Sequence, residues 1–493
     1  MKLARAVPAL LALAGVVPFA GAGPALTIEE AIRQALAHNP GIKVQAFSRD
    51  IARANLLTAY GKFDPALNFQ RSAAGAETPS LRDPITGLRP AGTSIDTDNY
   101  SLSLDGQLPW GASYSIGGTS ENQRGTYNAF RDNFATTGGV TVTQPLLLGF
   151  GFAANLSGVR IAKADRSISD FEFRQTAIDT VTEVITLYNE LAFEREYLKA
   201  SERSRALARS LLAENEKRLK VGKISEADVT EANATFAARE DAVLSAARSV
   251  KDLENRFRQL LGDTAISFDG QASIEVEPPT AAEFVTVSAA NDLKVARALR
   301  PDYQAMRLGI VKQRLNERAA RNRLLPRVDL IGSYGYNGYD DLFATSRRQI
   351  ASEDYRAYTV GVAVSIPLAS ADGRGRARAA ELARRQAEAD LARFEQEIAV
   401  DVANGAGQIE TTQQRVLATR TALQLAQAAL VNETKKLQEG TGATYFVLQM
   451  QSELSSAEIS AYRAVADQRI AIASYDAVLG RTLERNNVKL NAD

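Results

Sequence analysis

The chain contains 493 residues, with 58 basic and 58 acidic side chains and no cysteine. The absence of cysteine excludes disulfides and a lipid-modified cysteine anchor, and the balanced charge argues against a nucleic-acid-binding protein. The only histidine, His38, lies beside a predicted helix end, where we expect an exposed cap. With no grouped carboxylates, neither a metal site nor a nucleophilic triad is indicated, so we predict a non-enzyme without a cofactor.

Residues 1–22 have the pattern of a secretory signal peptide. Lys2 and Arg5 precede an apolar run from Val7 to Phe19, and Ala20-Gly21-Ala22 supplies the small residues of a cleavage site. The alternative, a membrane helix, is disfavoured because two prolines bracket a run shorter than the roughly 20 residues that a span requires. No later apolar run is long enough for a membrane helix, so we expect any membrane span to consist of β-strands.

The rest of the chain repeats one pattern of spacings. The spacing from Pro40 to Pro65 recurs from Pro301 to Pro326. The spacing from Gly222 to Gly262 recurs from Gly440 to Gly480. Two copies of one unit, each too extended to bury its own apolar face, predict a stacked or barrel-like assembly. We predict a signal peptide at 1–22, a first copy at 23–262, a connecting equatorial segment at 263–284, a second copy at 285–480 and a tail at 481–493.

Each copy begins with helical patterns and continues with strands. Residues 26–37 and 42–60 have helical periodicity, Thr27 and Glu30 are spaced as a capping box, and Asn39-Pro40 separates the two helices. The period of the apolar residues then falls to two, which predicts strands with two different faces. The alternating stretches include residues 67–69, 100–104, 114–116, 140–142, 328–336 and 358–366.

Aromatic residues concentrate in these strand regions. Half of the tyrosine, tryptophan and phenylalanine residues lie in 60–152 and 326–368, which together make up little more than a quarter of the chain. Aromatic residues gather at the two lipid interfaces of a transmembrane barrel. A soluble hairpin with apolar strands is the alternative.

Long helices follow the strands in both copies. Residues 153–220 and 371–438 carry apolar residues at intervals of three, four and seven, which predicts lengthwise packing. Glycine-marked turns then lead into return helices at 224–261 and 444–479, so each copy ends in a helical hairpin. Ser225 and Asp228 predict a variant capping box at the first turn. The heptads alone fit a structural coiled coil equally well.

In order and duplication, these segments resemble the TolC-like outer-membrane efflux protein family. The resemblance covers residues 26–480 and rests on the opening helix with Asn39-Pro40, on the strand exits Thr143–Gly151 and Ile366–Leu368, and on the turn around Gly222. It implies an α+β membrane protein: a homotrimer whose chains give four strands each to a twelve-stranded outer-membrane β-barrel, continued by a long periplasmic α-helical barrel. It also implies an exit duct for efflux or type I secretion that docks on a periplasmic adaptor and an inner-membrane pump.

The chain departs from this pattern in its first strand region. Residues 65–145 make up about twice the length of the matching region 326–367, and the excess predicts an added hairpin around 100–107 and 112–120, with Leu108-Pro-Trp-Gly111 as its turn. Two arrangements stay open: more than four strands per chain, or a hairpin outside the barrel. The alternative to a duct is a periplasmic coiled-coil scaffold or adhesin without transport activity.

We predict that the two helical turns form adaptor-docking tips, because small residues allow close backbone approach. The alternative, which does not exclude docking, is that their glycines only end helices. The tip residues are Arg218, Val221, Gly222, Lys223, Ser225 and Asp228 on the first turn and Gly440, Thr441, Gly442 and Ala443 on the second.

We also predict a periplasmic gate at Phe446 and Gln449. The best-known family member carries acidic residues at the matching positions, where they ring the entrance and attract cations. An apolar ring would hinder ions by dewetting instead, so we expect weak cation selectivity. The alternative is that Phe446 packs between helices.

Overall fold

The computed structural model describes residues 26–222, 224–263, 273–439 and 444–490. The predicted signal peptide lies outside these residues. Within these ranges the chain forms six strands: β1 (Ala66–Thr78), β2 (Thr93–Gln107), β3 (Ser113–Gly125), β4 (Phe134–Pro145), β5 (Arg327–Asp340) and β6 (Arg356–Ser365). The α-helices are α1 (Ile28–His38), α2 (Pro40–Tyr60), α3 (Gly151–Asn155), α4 (Ser157–Lys220), α5 (Glu226–Leu261), α6 (Ala289–Leu299), α7 (Pro301–Asn322), α8 (Phe343–Ala351), α9 (Ala371–Gln438), α10 (Thr444–Leu479) and α11 (Thr482–Arg485).

The predicted break between the first two helices is confirmed and has a local cause. Asn39 ends α1, and its side-chain oxygen accepts the Gly41 backbone N–H at 2.7 Å while its amide donates to the Leu260 carbonyl at 2.8 Å. Pro40 is the first residue of α2, where its missing N–H is not needed. At the other end, Thr27 Oγ1 accepts the Glu30 backbone N–H at 3.3 Å, as the capping pattern predicts.

All six strands form one antiparallel sheet in chain order, β1-β2-β3-β4-β5-β6. The predicted added hairpin is confirmed as β2 and β3, which are joined by a turn closed by Leu108 N–H to the Ala112 carbonyl at 2.7 Å. The loop between β1 and β2 is limited to residues 79–92, because Ala73–Thr78 pairs with Thr93–Asp98. Small residues there gave no alternation from which strands could be predicted.

One helix lies where the sequence predicted only strand and loop. α8 connects β5 to β6 and packs on β4 and β5. Ser346 is buried there, and its hydroxyl lies 2.7 Å from Thr136 Oγ1. Gly138 and Gly338 leave room for the helix, because a Cβ at either position would meet Ile350 or the Ser346 carbonyl.

The long helical segment predicted at 153–220 is divided. α3 ends at Asn155, and α4 begins two residues later. The Asn155 amide donates to the Gly149 carbonyl at 2.6 Å and to the Gly151 carbonyl at 3.0 Å, which anchors the strand exit to the short helix. The helix predicted at 371–438 and the return helix at 444–479 are confirmed as α9 and α10.

The chain divides into two compact units, each built from both halves of the sequence. Residues 1–45, 173–301 and 396–493 make up the first unit, and residues 46–172 and 302–395 make up the second, which contains the sheet. The units therefore differ from the two sequence copies, whose boundaries stay a prediction. Among the described helices, none has an apolar stretch of the length needed to cross a membrane.

The core of the first unit lies among α1, α4 and α5 and is apolar. Val181, Val184, Leu191 and Phe257 are almost fully buried in it. The described part of the connecting segment is hydrogen-bonded to the chain just before α1, because Leu26 N–H donates to the Glu275 carbonyl at 2.8 Å. The same unit holds a second buried anchor, where the Tyr475 hydroxyl donates to Asp292 at 2.6 Å. Burial and this carboxylate raise the pKa of Tyr475 well above its ordinary value.

Candidate partner-binding tips and groove

The first predicted tip is a tight turn between α4 and α5. Gly222 adopts the left-handed conformation with φ of +71°, and its N–H donates to the Leu219 carbonyl at 2.9 Å. This is a typical helix C-terminal position for glycine, because a Cβ would be strained there. Val221 beside it is exposed, and Lys223 lies outside the described residues. The tip thus presents an apolar side chain next to backbone that a partner can approach closely.

The predicted capping box at the start of α5 is confirmed. Ser225 Oγ accepts the Asp228 backbone N–H at 3.3 Å, while Asp228 Oδ2 accepts the Ser225 backbone N–H at 2.8 Å and its hydroxyl at 2.7 Å. These hydrogen bonds, from the Ser225 side chain first and its backbone second, lower the pKa of Asp228. The carboxylate therefore stays ionised at the positive end of α5, where it is favourable.

The two sides of this tip carry opposite charge. α4 ends with Lys217, Arg218 and Lys220, of which Arg218 pairs with Glu214 one turn earlier at 3.0 Å. α5 begins with Glu226 and Asp228. Each sign offsets the dipole of its own helix end, and the pair of ends gives a partner a charged pattern to match.

Gly440, Thr441, Gly442 and Ala443 of the second predicted tip lie outside the described residues. The helices on either side are described: α9 ends at Gln438, and α10 begins at Thr444.

The predicted gate residues lie on the first turns of α10. Phe446 is 51% exposed and stacks edge-on with Tyr445 at 5.6 Å between ring centroids, so its side chain is not packed in the core of its own chain. Val447 is the side chain that turns inward and is buried. Gln449 is exposed and donates to Glu453 at 3.1 Å. These positions are consistent with a ring at an entrance, and the gate itself stays a prediction.

A groove in the first unit was not predicted from the sequence. It has a volume of about 370 Å³ and is lined by α4, α5 and α10. Leu207 and Leu211 give it an apolar floor, and the ion pair between Arg203 and Glu458, at 3.1 Å, crosses it. The spacing of four between the two leucines is the signal of an inward-facing helix stripe, but it does not reveal which helices leave a gap.

Gln451 makes the groove chemically distinctive. It lines the cavity, and its side-chain oxygen is buried without a hydrogen-bond partner among the described residues. A buried acceptor without a donor costs free energy of about 1–3 kcal/mol. The groove therefore combines an apolar floor with a buried amide oxygen in its lining.

The described residues contain no cluster of three or more histidine, aspartate or glutamate side chains that could hold a metal ion. His38 is exposed, and its Nδ1 lies 3.2 Å from the Gln34 carbonyl at the end of α1, as expected for a helix cap.

In sequence and in fold, the chain is similar to outer-membrane efflux proteins and outer-membrane channels. The family model described as "Outer membrane efflux protein" matches residues 107–263 and 293–481. The outer membrane efflux protein BepC of Brucella suis is 24% identical over 402 residues, which cover 80% of each protein. The residues matched by the family model include β3 to β6, whereas β1 and nearly all of β2 precede them.

Solved structures show the same fold at low sequence identity. The outer membrane protein VceC of Vibrio cholerae has 18% identity and a TM-score of 0.64, covering 92% of this chain and 96% of that one. The CmeC outer membrane channel of Campylobacter jejuni has 12% identity and a TM-score of 0.66, covering 97% and 95%. The chain therefore belongs to the outer membrane efflux protein family, and it is an outer-membrane protein and not an enzyme, as its sequence predicts.

Proposed function

We propose that the protein is the outer-membrane exit duct of a tripartite efflux or type I secretion system. The observation that carries the proposal is the sheet: its end strands, β1 and β6, each pair on one side only, and large apolar side chains are exposed along it. In lipid, each unpaired backbone group costs several kcal/mol, so a membrane sheet must close. Copies of the chain arranged by rotational symmetry close it, and the number three comes from the family resemblance.

The tips and the groove are the surfaces that support docking to a periplasmic adaptor. The turn at Gly222 admits close backbone approach, and the groove floor at Leu207 offers an apolar surface to a partner side chain. An inner-membrane pump would then be joined to the duct through the adaptor. The rival function, a periplasmic scaffold or adhesin, leaves the exposed apolar side chains of the sheet without a role.

Native mass tests this proposal directly. We expect the protein to fractionate with the outer membrane and, after detergent extraction, to have the mass of three chains, each lacking residues 1–22. A periplasmic protein that stays in solution as a monomer or dimer without detergent would overturn the duct and favour the scaffold.

Docking needs a separate test, with cross-linking to the adaptor and export measured together. Leu207→Trp should fill the groove and reduce both, while Leu244→Trp, at an exposed position of α5, serves as the control. Unchanged export and cross-linking in Leu207→Trp trimers would contradict docking in the groove.

A further inference from the structure

The added hairpin β2–β3 is an internal part of the sheet. β2 pairs with β1 over the full length of β1, from Ala66–Asp105 to Thr78–Thr93. β3 pairs with β2 on one side and with β4 on the other. The hairpin is therefore bonded to strands on both of its sides and is not an appendage at one edge.

One face of the sheet is apolar and the other is polar across all six strands. Successive residues of a strand point to opposite faces, and the register assigns every strand to the same two faces. One face, here the apolar face, exposes Leu67 and Phe69 of β1, Leu102 and Leu104 of β2, Ile116 of β3, Val140 and Val142 of β4, Leu330 and Tyr334 of β5, and Val360, Val362 and Val364 of β6. The opposite, polar face carries Asn68, Ser103, Ser115, Thr141, Ser333 and Thr359. β2 and β3 thus have the alternation of a membrane wall just as the other strands do.

The lower ends of the strands, where the chain leaves for the helices or turns at 108–112, are staggered as in a tilted wall. A line along the hydrogen bonds from Ala66 passes through Asp105, Ser115, Thr141, Ser333 and Thr359. The lower end of each strand is offset from that line by a number of residues that increases along the sheet. The offset is zero at Ala66, two residues at Gln107 and Ser113, four at Pro145, and six at Arg327 and Ser365. Six residues of about 3.3 Å over five gaps of about 4.8 Å correspond to a tilt of about 40°. Transmembrane barrels have tilts of about 35–45°.

The lower turn of the hairpin is held at the level where the other strands leave the sheet. The Gly151 N–H donates to the Trp110 carbonyl at 2.9 Å, and the Trp110 ring packs against Phe152 at 6.3 Å. Gly111 has φ of +103°, and a Cβ there would collide with the Gly149 carbonyl oxygen. The turn therefore packs closely against the segment that follows β4.

We propose that all six strands of each chain stand in the barrel wall, with β1 of one copy closing against β6 of the next. This inference rests on the duct proposed above and departs from the four strands per chain that the family resemblance implies. Three copies of a six-stranded sheet give eighteen strands. Barrel diameter grows roughly linearly with strand number, so the duct is about one and a half times as wide in the membrane as one of twelve strands.

The closing contact has a defined register. The two edge strands run in opposite directions, so they pair antiparallel. Bringing their lower ends, Ala66 and Ser365, to one level places Leu67 opposite Val364 and Phe69 opposite Val362. Both pairs are apolar on the apolar face, and a slip of one residue would oppose Val364 to polar Asn68.

Paired cysteines test the contact, because the chain has no native cysteine. On the polar face the same register opposes Asn68 of β1 to Ala363 of β6. The matched control uses β3: if β3 to β6 alone formed the wall, Ser113 would be level with Ser365, and Ser115 would oppose Ala363. We therefore compare Asn68→Cys with Ala363→Cys against Ser115→Cys with Ala363→Cys. Both pairs are treated with a short bifunctional thiol reagent after detergent extraction.

Covalent trimers with the Asn68 pair and none with the Ser115 pair are expected. Covalent trimers with the Ser115 pair, or with neither pair in a preparation whose native mass is that of a trimer, would overturn the six-stranded wall while leaving the duct intact. A native mass other than a trimer would reject the duct itself. Each single cysteine variant controls for links that form without a facing partner.

Discussion

At the scale of single residues, the first tip depends on reciprocal hydrogen bonds between Ser225 and Asp228. The sequence pattern alone predicted this cap, because its bonds join residues three apart. The second tip shows no acidic cap in its sequence, Gly440-Thr-Gly-Ala. The two tips therefore should differ in their response to acid.

The lowered pKa of Asp228 sets the direction of that response. A carboxyl whose pKa is lower in the folded state contributes stability above its unfolded value, near 3.8, and loses it as the pH falls through the folded value. We expect the amide hydrogens in the first turn of α5 to lose protection, relative to their intrinsic exchange rate at each pH, below about pH 4, and Asp228→Asn to remove this pH dependence. Ser225→Ala should weaken the helix start by about 1 kcal/mol. An unchanged exchange profile in Asp228→Asn would show that another group governs the effect.

The predicted gate makes a second prediction at this scale. Phe446→Asp should raise the cation selectivity and the conductance of the channel in a planar bilayer, because a charged ring removes the dewetting barrier. Tyr445→Asp places the same charge on the neighbouring, more exposed position and serves as the control. Equal effects of the two substitutions, or none from Phe446→Asp, would exclude a constriction at Phe446.

At the scale of elements, α9 and α10 pack closely at the point where Gly405 of α9 lies against the ring of Tyr475 of α10. A Cβ on Gly405 would lie 2.6 Å from Tyr475 Cδ2, and Tyr475 is only 2% exposed. Gly407, on the same helix, has open space around its Cβ position. Two glycines that look alike in the sequence therefore have different roles, which only the packing of the helices decides.

We expect Gly405→Leu to lower the free energy of unfolding by about 1–3 kcal/mol through overpacking. Gly407→Leu should be neutral or stabilising, since leucine has a higher helix propensity than glycine. Thermal unfolding of both variants measures the difference. A loss of stability in Gly407→Leu as large as in Gly405→Leu would contradict the assignment.

At the scale of the whole molecule, the apolar face of the sheet must face lipid if the protein is a duct. Val360→Lys puts a charge on that face, where lysine near the bilayer midplane costs about 2–4 kcal/mol. Thr359→Lys puts the same charge on the polar face and should be tolerated. We expect a smaller outer-membrane fraction for Val360→Lys alone, measured by fractionation and heat-resistant trimer content. Equal insertion of both variants would mean that the apolar face does not contact lipid.

The sequence by itself determined the family, the type of most helices and strands, and the added hairpin. These properties come from local spacings: a proline after Asn39 that starts a new helix, a glycine at 222 that ends one, and a period of two in the strands. Such signals involve residues that are close together in the sequence, so they can be recognised without the tertiary structure.

Only the tertiary structure decided what depends on contacts between distant residues. The continuous register from β1 to β6, the packing of α8 on Thr136 and Gly138, and the groove lined by α4, α5 and α10 all arise from segments far apart in the chain. No spacing encodes which strands become neighbours or where two helices leave a gap. The length of residues 65–145 predicted an extra hairpin, but only the hydrogen bonds on both of its sides show that it lies inside the sheet.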